Sequence, residues 1–180
     1  MLIGYRGSWS SGMTSPSHGG GRRFESGRAH MSMDLLQIIK ERRSVRKFKS
    51  KGVEKEKIDQ LLESARWAPS AGNLSSRVLI VVKDPVVKYE LSRAAIYQEF
   101  IAQAPLVVVA CGDFERSRLY GERGKLFAIE DCSASIQNML LMAHALGLGV
   151  FMIFIVTAEA VNKLLSLEVA TRGGAEVLGR

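Results

Sequence analysis

Apolar residues fall into helical spacing from Asp34 onward, where Leu35, Ile38 and Ile39 share one face behind a side chain able to cap a first turn. Phe48 closes that segment. A second helix is predicted from about Glu54 to Trp67, with Ile58, Leu61, Leu62 and Ala65 inward, ending before Pro69 because the residue ahead of a proline is pushed out of the helical region. The β-branched run Arg77 to Val82 reads as a buried strand. Pro85 opens a short helix to about Ala95, and Leu106 to Cys111 reads as a second strand. The longest helix is predicted from about Leu126 to Leu146, with Ile129, Ile136, Met139, Leu140 and Ala143 as its apolar stripe and Gly147 as its stop. Its small residues Ala128, Ser133, Ala134 and Ser135 admit close approach of another helix. Val150 to Val156 reads as a third strand, and Ala158 to Leu165 as a last helix capped by Thr157.

Helices alternating with isolated strands imply a layered α+β or α/β domain. The two ends do not share this periodicity. Residues 1–32 are rich in Gly, Ser and Arg and are expected to be a disordered leader. The folded domain is expected over residues 33–167, with residues 168–180 as a divergent tail.

At 180 residues and 47% hydrophobic, the chain can bury one real core. The formal charge of +7 changes the picture little once it is placed. Residues 1–30 carry Arg6, Arg22, Arg23 and Arg28 against Glu25, a net of +3, which leaves +4 for the domain. That is an ordinary surplus for binding small anions, and the dense basic stripe with interleaved aromatics expected of a nucleic-acid binder is missing. Cys111 and Cys132 form no CxxC pair and lie at no metal-ligand spacing from a histidine, so no metal site is expected. His144 reads as a packed or surface histidine. No apolar run approaches the roughly 20 residues of a membrane-crossing helix, and cytoplasm is the expected location.

Two stretches carry candidate chemistry. In E-R-R-S-V-R-K-F, Arg42, Arg43, Ser44 and Arg46 place three guanidinium forks and a hydroxyl within five positions, a set that suits a doubly charged phosphate. On spacing alone the same arginines also suit a solvated helix end complementing the dipole. In A-P-S-A-G-N, Pro69, Ser70, Ala71, Gly72 and Asn73 follow a helix stop with small residues and an amide, which lets backbone approach a planar ligand. Together they suggest a flat, phosphorylated cofactor. No G-x-G-x-x-G dinucleotide loop is present, which favours FMN over FAD.

These two stretches and E-D-C-S-A-S-I-Q-N-M-L-L-M-A-H-A-L-G-L-G, in this order over roughly Met33 to Leu165, resemble the nitroreductase family of FMN-dependent, NAD(P)H-using oxidoreductases. The resemblance implies a three-layer α+β fold, a mainly antiparallel central sheet flanked by helices. It also implies a homodimer with FMN at the subunit interface, built around the helix matching Glu130 to Leu146. Arg42, Arg43, Ser44 and Arg46 would grip the FMN phosphate and ribityl chain, and Pro69 to Asn73 would lie against the flavin. The chemistry would belong to flavin N5, which takes hydride from NAD(P)H and passes electrons to a nitroaromatic, quinone or similar small-molecule acceptor, so no catalytic side chain is assigned.

The chain departs from the family's pattern at three places. Leu74, Ser75, Ser76 and Arg77 stand where Gln-Pro and an aromatic are frequent. Phe151 to Val156 lacks the glycine usual beside the flavin, with Phe154 in its place. Beyond Leu167 the family's next core strand and embracing arm are missing, and Arg172 and Arg180 lie in no matching context, so the fold is expected to be incomplete at the C-terminus. The alternative to an active oxidoreductase is a shortened flavin-binding or dimerising protein with little or no turnover.

Overall fold

The computed structural model describes residues 1–4, 34–153 and 175–178. A five-stranded sheet of order β4-β1-β3-β2-β5 forms the middle layer, with strands β1 (Leu2–Gly4), β2 (Arg77–Val82), β3 (Leu106–Gly112), β4 (Gly149–Phe151) and β5 (Ala175–Leu178). Every neighbouring pair is antiparallel. The helices are α1 (Leu35–Glu41), α2 (Lys55–Arg66), α3 (Pro85–Ala94), α4 (Phe100–Gln103) and α5 (Gly124–Ala145).

The period-two alternation of the strands divides the core between two faces. Ile3, Leu79, Val81, Leu106, Val108 and Val150 pack with α2 and α5 through Ile58, Leu61, Leu62, Ala65, Met139, Leu140 and Ala143. Leu2, Ile80, Val82 and Val107 face the other way, onto α3 and α4 through Val87, Leu91, Ala95 and Ile101. This is the three-layer α+β arrangement with an antiparallel sheet.

The helix boundaries follow their caps. Asp34 accepts from the Leu36 amide at the start of α1, and Asp84 accepts from Val86 and Val87 N–H at the start of α3, with Pro85 in the first turn. β2, the inward face of α2 and the span of α5 agree with the sequence pattern. The four-residue α4 was not anticipated, because it is too short to show a period.

Three corrections concern the ends and the outward faces. The segment expected as a disordered leader supplies β1, with Leu2 1% and Ile3 0% exposed, paired to β3 on one side and β4 on the other. The apolar triplet Leu-Ile-Gly is short enough to be hidden by the Gly/Ser/Arg composition that follows it. The tail expected to diverge supplies β5, whose Ala175–Leu178 pairs with Leu79–Val82 at the β2 edge. Finally, Leu35, Leu36 and Ile39 of α1 and Ile129 of α5 face outward, between 48% and 62% exposed, so periodicity found an apolar face but not what covers it. The helix expected over Ala158 to Leu165 and the residue Phe154 lie outside the described residues.

Burial of Ile3 among two strands and two helices makes a direct test. Ile3→Ala is expected to lower unfolding stability by about 2–5 kcal/mol in denaturant titration, the range for a fully buried isoleucine. An unchanged midpoint would place Leu2–Gly4 outside the core.

Candidate functional site

The basic stretch runs along the outer edge of the sheet. Ser44 bridges Val150 in parallel and Val45 N–H donates to Val150 carbonyl at 2.8 Å, so residues 44–45 extend the sheet beyond β4. This backbone pairing leaves Ser44 and Arg46 exposed and Arg42 half-buried. The Arg46 guanidinium lies 4.3 Å from the centroid of the Phe151 ring. Arg43 turns back on the end of α1, donating to the carbonyls of Lys40 and Arg42. Among the described residues Arg42, Arg43 and Arg46 have no carboxylate within ion-pair distance. The edge is therefore a positively charged surface with two guanidinium groups, of Arg42 and Arg46, not committed to an anion.

The second stretch is a tight loop beyond α2. Ala71–Asn73 make one 3-10 turn, with Gly72 at φ 56°, Asn73 at φ 58° and Ser75 at φ 50°. Left-handed backbone at Asn and Ser costs energy, so contacts must over-determine the loop. They do. Asp131, 3% exposed on α5, accepts from Ala71 N–H with one oxygen and from Ser76 N–H with the other, both at 2.9 Å. Ser70 Oγ accepts from Ser75 N–H at 2.9 Å, and Arg116, paired with Asp113, donates to the Ser75 carbonyl at 3.2 Å. Pro69, Gly72 and Asn73 remain exposed on the outer side of the loop. A Cβ on Gly72 would stand 2.1 Å from the Tyr120 hydroxyl, so this position is glycine both for its φ and for that close approach. Tyr120 in turn stacks edge-on against Phe127 at 5.0 Å.

Leu74 to Arg77, where the chain departs from the pattern of the family it resembles, complete the loop rather than loosen it. Arg77 is 6% exposed, and its Nη2 donates to the carbonyls of Ala65, Ala68 and Arg66 at 3.1–3.2 Å. A guanidinium thus caps the C-terminal end of α2, where carbonyls lack intrahelical partners.

One chain does not bring the two stretches together. Val150 is level with Ile3 and Leu106, whereas Arg77 is level with Gly112, six residues further along β3. That displacement is about 20 Å along the strands, and the two intervening strands add about 14 Å between β4 and β2. The basic edge and the loop sit at opposite corners of the sheet.

Burial pushes the Cys132 thiol up to about 12, with Cys111 and Asp131 adding to the rise and Arg77 opposing it. The folded protein therefore holds a proton that the unfolded chain releases near the usual thiol value, so this contribution to stability is present below that value and lost as pH climbs towards 12. Among the described residues no group of three or more His, Cys, Asp or Glu could hold a metal ion, and no helix is long and apolar enough to cross a membrane.

Sequence reasoning missed Asp131, Tyr120 and Arg116. The only signal was an acid among the small residues of a long apolar helix. The position of Asp131 opposite the loop follows from the packing of α5 against α2 and β2.

The chain matches the nitroreductase family over residues 39–97 and 92–178. It is 36% identical over 117 residues to a Methanothermobacter thermautotrophicus protein carrying the name NADH dehydrogenase/NAD(P)H nitroreductase, covering 65% of this chain and 59% of that one. It is 28% identical over 129 residues to a Bacillus subtilis FMN reductase [NAD(P)H], covering 64% and 52%. The fold superposes on Bacillus megaterium NfrA2 with a TM-score of 0.69 at 29% identity, over 75% of this chain and 61% of that one. It superposes on an FMN-dependent nitroreductase of Clostridium difficile with a TM-score of 0.63 at 32% identity, over 79% and 82%. The chain thus spans between half and two thirds of the length of these two curated relatives.

Two measurements test the loop and the thiol. Gly72→Ala is expected to cost about 2–3 kcal/mol, of which roughly 1–2 kcal/mol is left-handed backbone. In a Tyr120→Phe background the cost should fall towards the backbone share, and an equal cost in both backgrounds would mean the hydroxyl does not rest on Gly72. Cys132→Ala should lose stability less steeply than the parent between pH 9 and 11, and parallel alkaline declines would mean that the thiol titrates normally.

Proposed function

The chain belongs to the nitroreductase family, and from that premise we infer that it is a flavoprotein oxidoreductase. In this reading it binds FMN, takes reducing equivalents from NAD(P)H and passes them to a small acceptor such as a quinone or nitroaromatic. The observation that carries the reading is the basic edge of β4, where Arg42 and Arg46 stand without carboxylate partners among the described residues. A terminal phosphate is the anion such forks hold best. The loop supplies the complementary half: Gly72 and Asn73, held left-handed and exposed, offer flat backbone to a planar ring.

The residues fit FMN in their chemistry. Arg42, Arg46 and Ser44 would hold the phosphate, with Arg43 shaping the end of α1 through its own carbonyl contacts. Pro69 to Asn73 would exclude water from one side of the ring. Bound FMN supplies two-electron transfer between nicotinamide and acceptor, chemistry that needs no acid–base side chain.

The separation of the two corners supports a homodimer. A second copy related by a two-fold axis would bring its loop towards the basic edge of the first. The exposed Leu35, Leu36 and Ile39 of α1, and Leu126 and Ile129 of α5, supply the apolar surface for such an interface, since α1 packs against α5. The relatives named above as FMN reductase and FMN-dependent nitroreductase agree with this reading.

Heat-released cofactor identified by chromatography tests the flavin, and FAD or no flavin would overturn it. NAD(P)H oxidation with a quinone tests turnover, and flavin without turnover selects the binding-only alternative. Arg42→Ala and Arg46→Ala should each weaken FMN binding about ten- to a hundredfold, the loss of one charge-assisted contact of roughly 1.5–3 kcal/mol. Arg43→Ala should weaken it less. Fluorescence titration of FMN measures all three, and unchanged affinity at Arg42 and Arg46 would reduce the cluster to a helix end.

A further inference from the structure

We propose that Asp131 is the positioning residue of the flavin loop: its two buried carboxylate oxygens set the spacing of the Ala71 and Ser76 amides, and so hold Gly72 and Asn73 in the conformation that meets the ligand. The proposal rests on the flavin-binding reading above.

Both oxygens of one carboxylate are used, at 2.9 Å each, on amides five residues apart in sequence. Between those two anchors lie Gly72, Asn73 and Ser75, all with positive φ. A loop with two non-glycine residues in left-handed backbone does not hold that shape by local preference. Closing its two ends on one rigid group removes the extended alternatives. The acceptor must be charged and forked to do this: a carboxylate offers only acceptors, whereas an amide of the same shape replaces one acceptor with a donor facing a backbone N–H.

Asp131 is itself held. It stands in the middle of α5, and Ser135 Oγ donates to its backbone carbonyl at 3.0 Å. α5 is tied to α2 by Asn138 Nδ2 donating to the Ser64 carbonyl, also at 3.0 Å. The Asp113 amide donates to the Ser76 carbonyl at 3.0 Å, fixing the same end of the loop to the segment beyond β3. The loop's outer side is left free, since Gly72 and Asn73 are exposed. On the inner side the Ala71 and Ser76 amides are spent on shape, and Gly72 and Asn73 are left to meet a ligand.

The test compares the full chain with Asp131→Asn, Ala71→Pro and Met139→Ala. Asp131→Asn disturbs both bonds, Ala71→Pro deletes one donor while leaving the carboxylate, and Met139→Ala opens a cavity in the same helix without touching the loop. FMN affinity, the visible circular dichroism of bound FMN, and amide hydrogen exchange are read for each. Expected are a ten- to hundredfold loss of FMN affinity and an altered flavin dichroism in the first two variants. Exchange should accelerate tenfold or more at Ser76 in both, and at Ala71 in Asp131→Asn, with β2 and β3 amides unchanged. Met139→Ala should melt earlier yet keep the parent dichroism. Parent-like affinity and dichroism in either loop variant would overturn the proposal, as would the same spectral change in Met139→Ala. If Asp131→Asn does not fold, Ala71→Pro decides alone. A parent protein that binds no FMN would instead remove the flavin reading, and the proposal's ligand with it.

Discussion

The carboxylate of Asp131 joins the core of this protein to its candidate site. Its helix packs on the sheet through Met139, Leu140 and Ala143, and the same helix reaches the loop at residues 70–76 through two hydrogen bonds. Burying a charge is costly unless hydrogen bonds replace its hydration. Here two backbone amides do so, and in return they acquire a conformation they would not hold alone. The strained loop, the buried acid and the well-packed helix are therefore one arrangement.

The opposite corner of the sheet is built by a different rule. The arginine-rich stretch is held by its backbone pairing to Val150, while Arg43 turns back on the end of α1 and Arg46 rests over the Phe151 ring. Order lies in the main chain at that corner and in a side-chain clamp at the loop. Each stretch takes its shape within one chain without contact with the other, and α1 and α5 both carry exposed apolar side chains.

How much of this was legible in the sequence depends on the range of the interaction concerned. β2, α2 and α5 were legible because burial is periodic along them. The loop was legible as a ligand-facing turn because Pro, Gly and Asn restrict backbone locally. Asp131 was not, since its partners lie 55 and 60 residues away and nothing near it in sequence marks them. β1 was hidden for a similar reason. Three residues have no period, and their burial comes from Val107, Leu106 and Val150, far along the chain. The outward turn of Leu35, Ile39 and Ile129 shows the converse limit, that an apolar face is visible in one sequence while its cover is not.

The place of β1 also governs the order of events during synthesis. Leu2–Gly4 leaves the ribosome long before either strand that flanks it, since β3 begins at Leu106 and β4 ends at Phe151. At the usual pace of about 5–20 residues per second, that interval is roughly 7–30 s. For all that time an apolar triplet with unmet backbone groups waits beside a growing chain. β1 can then be paired on both sides only when β4 appears, so this part of the sheet settles late. Such non-local pairing slows folding, and a chaperone that shields the emerging chain would meet these three residues before any other strand of the sheet.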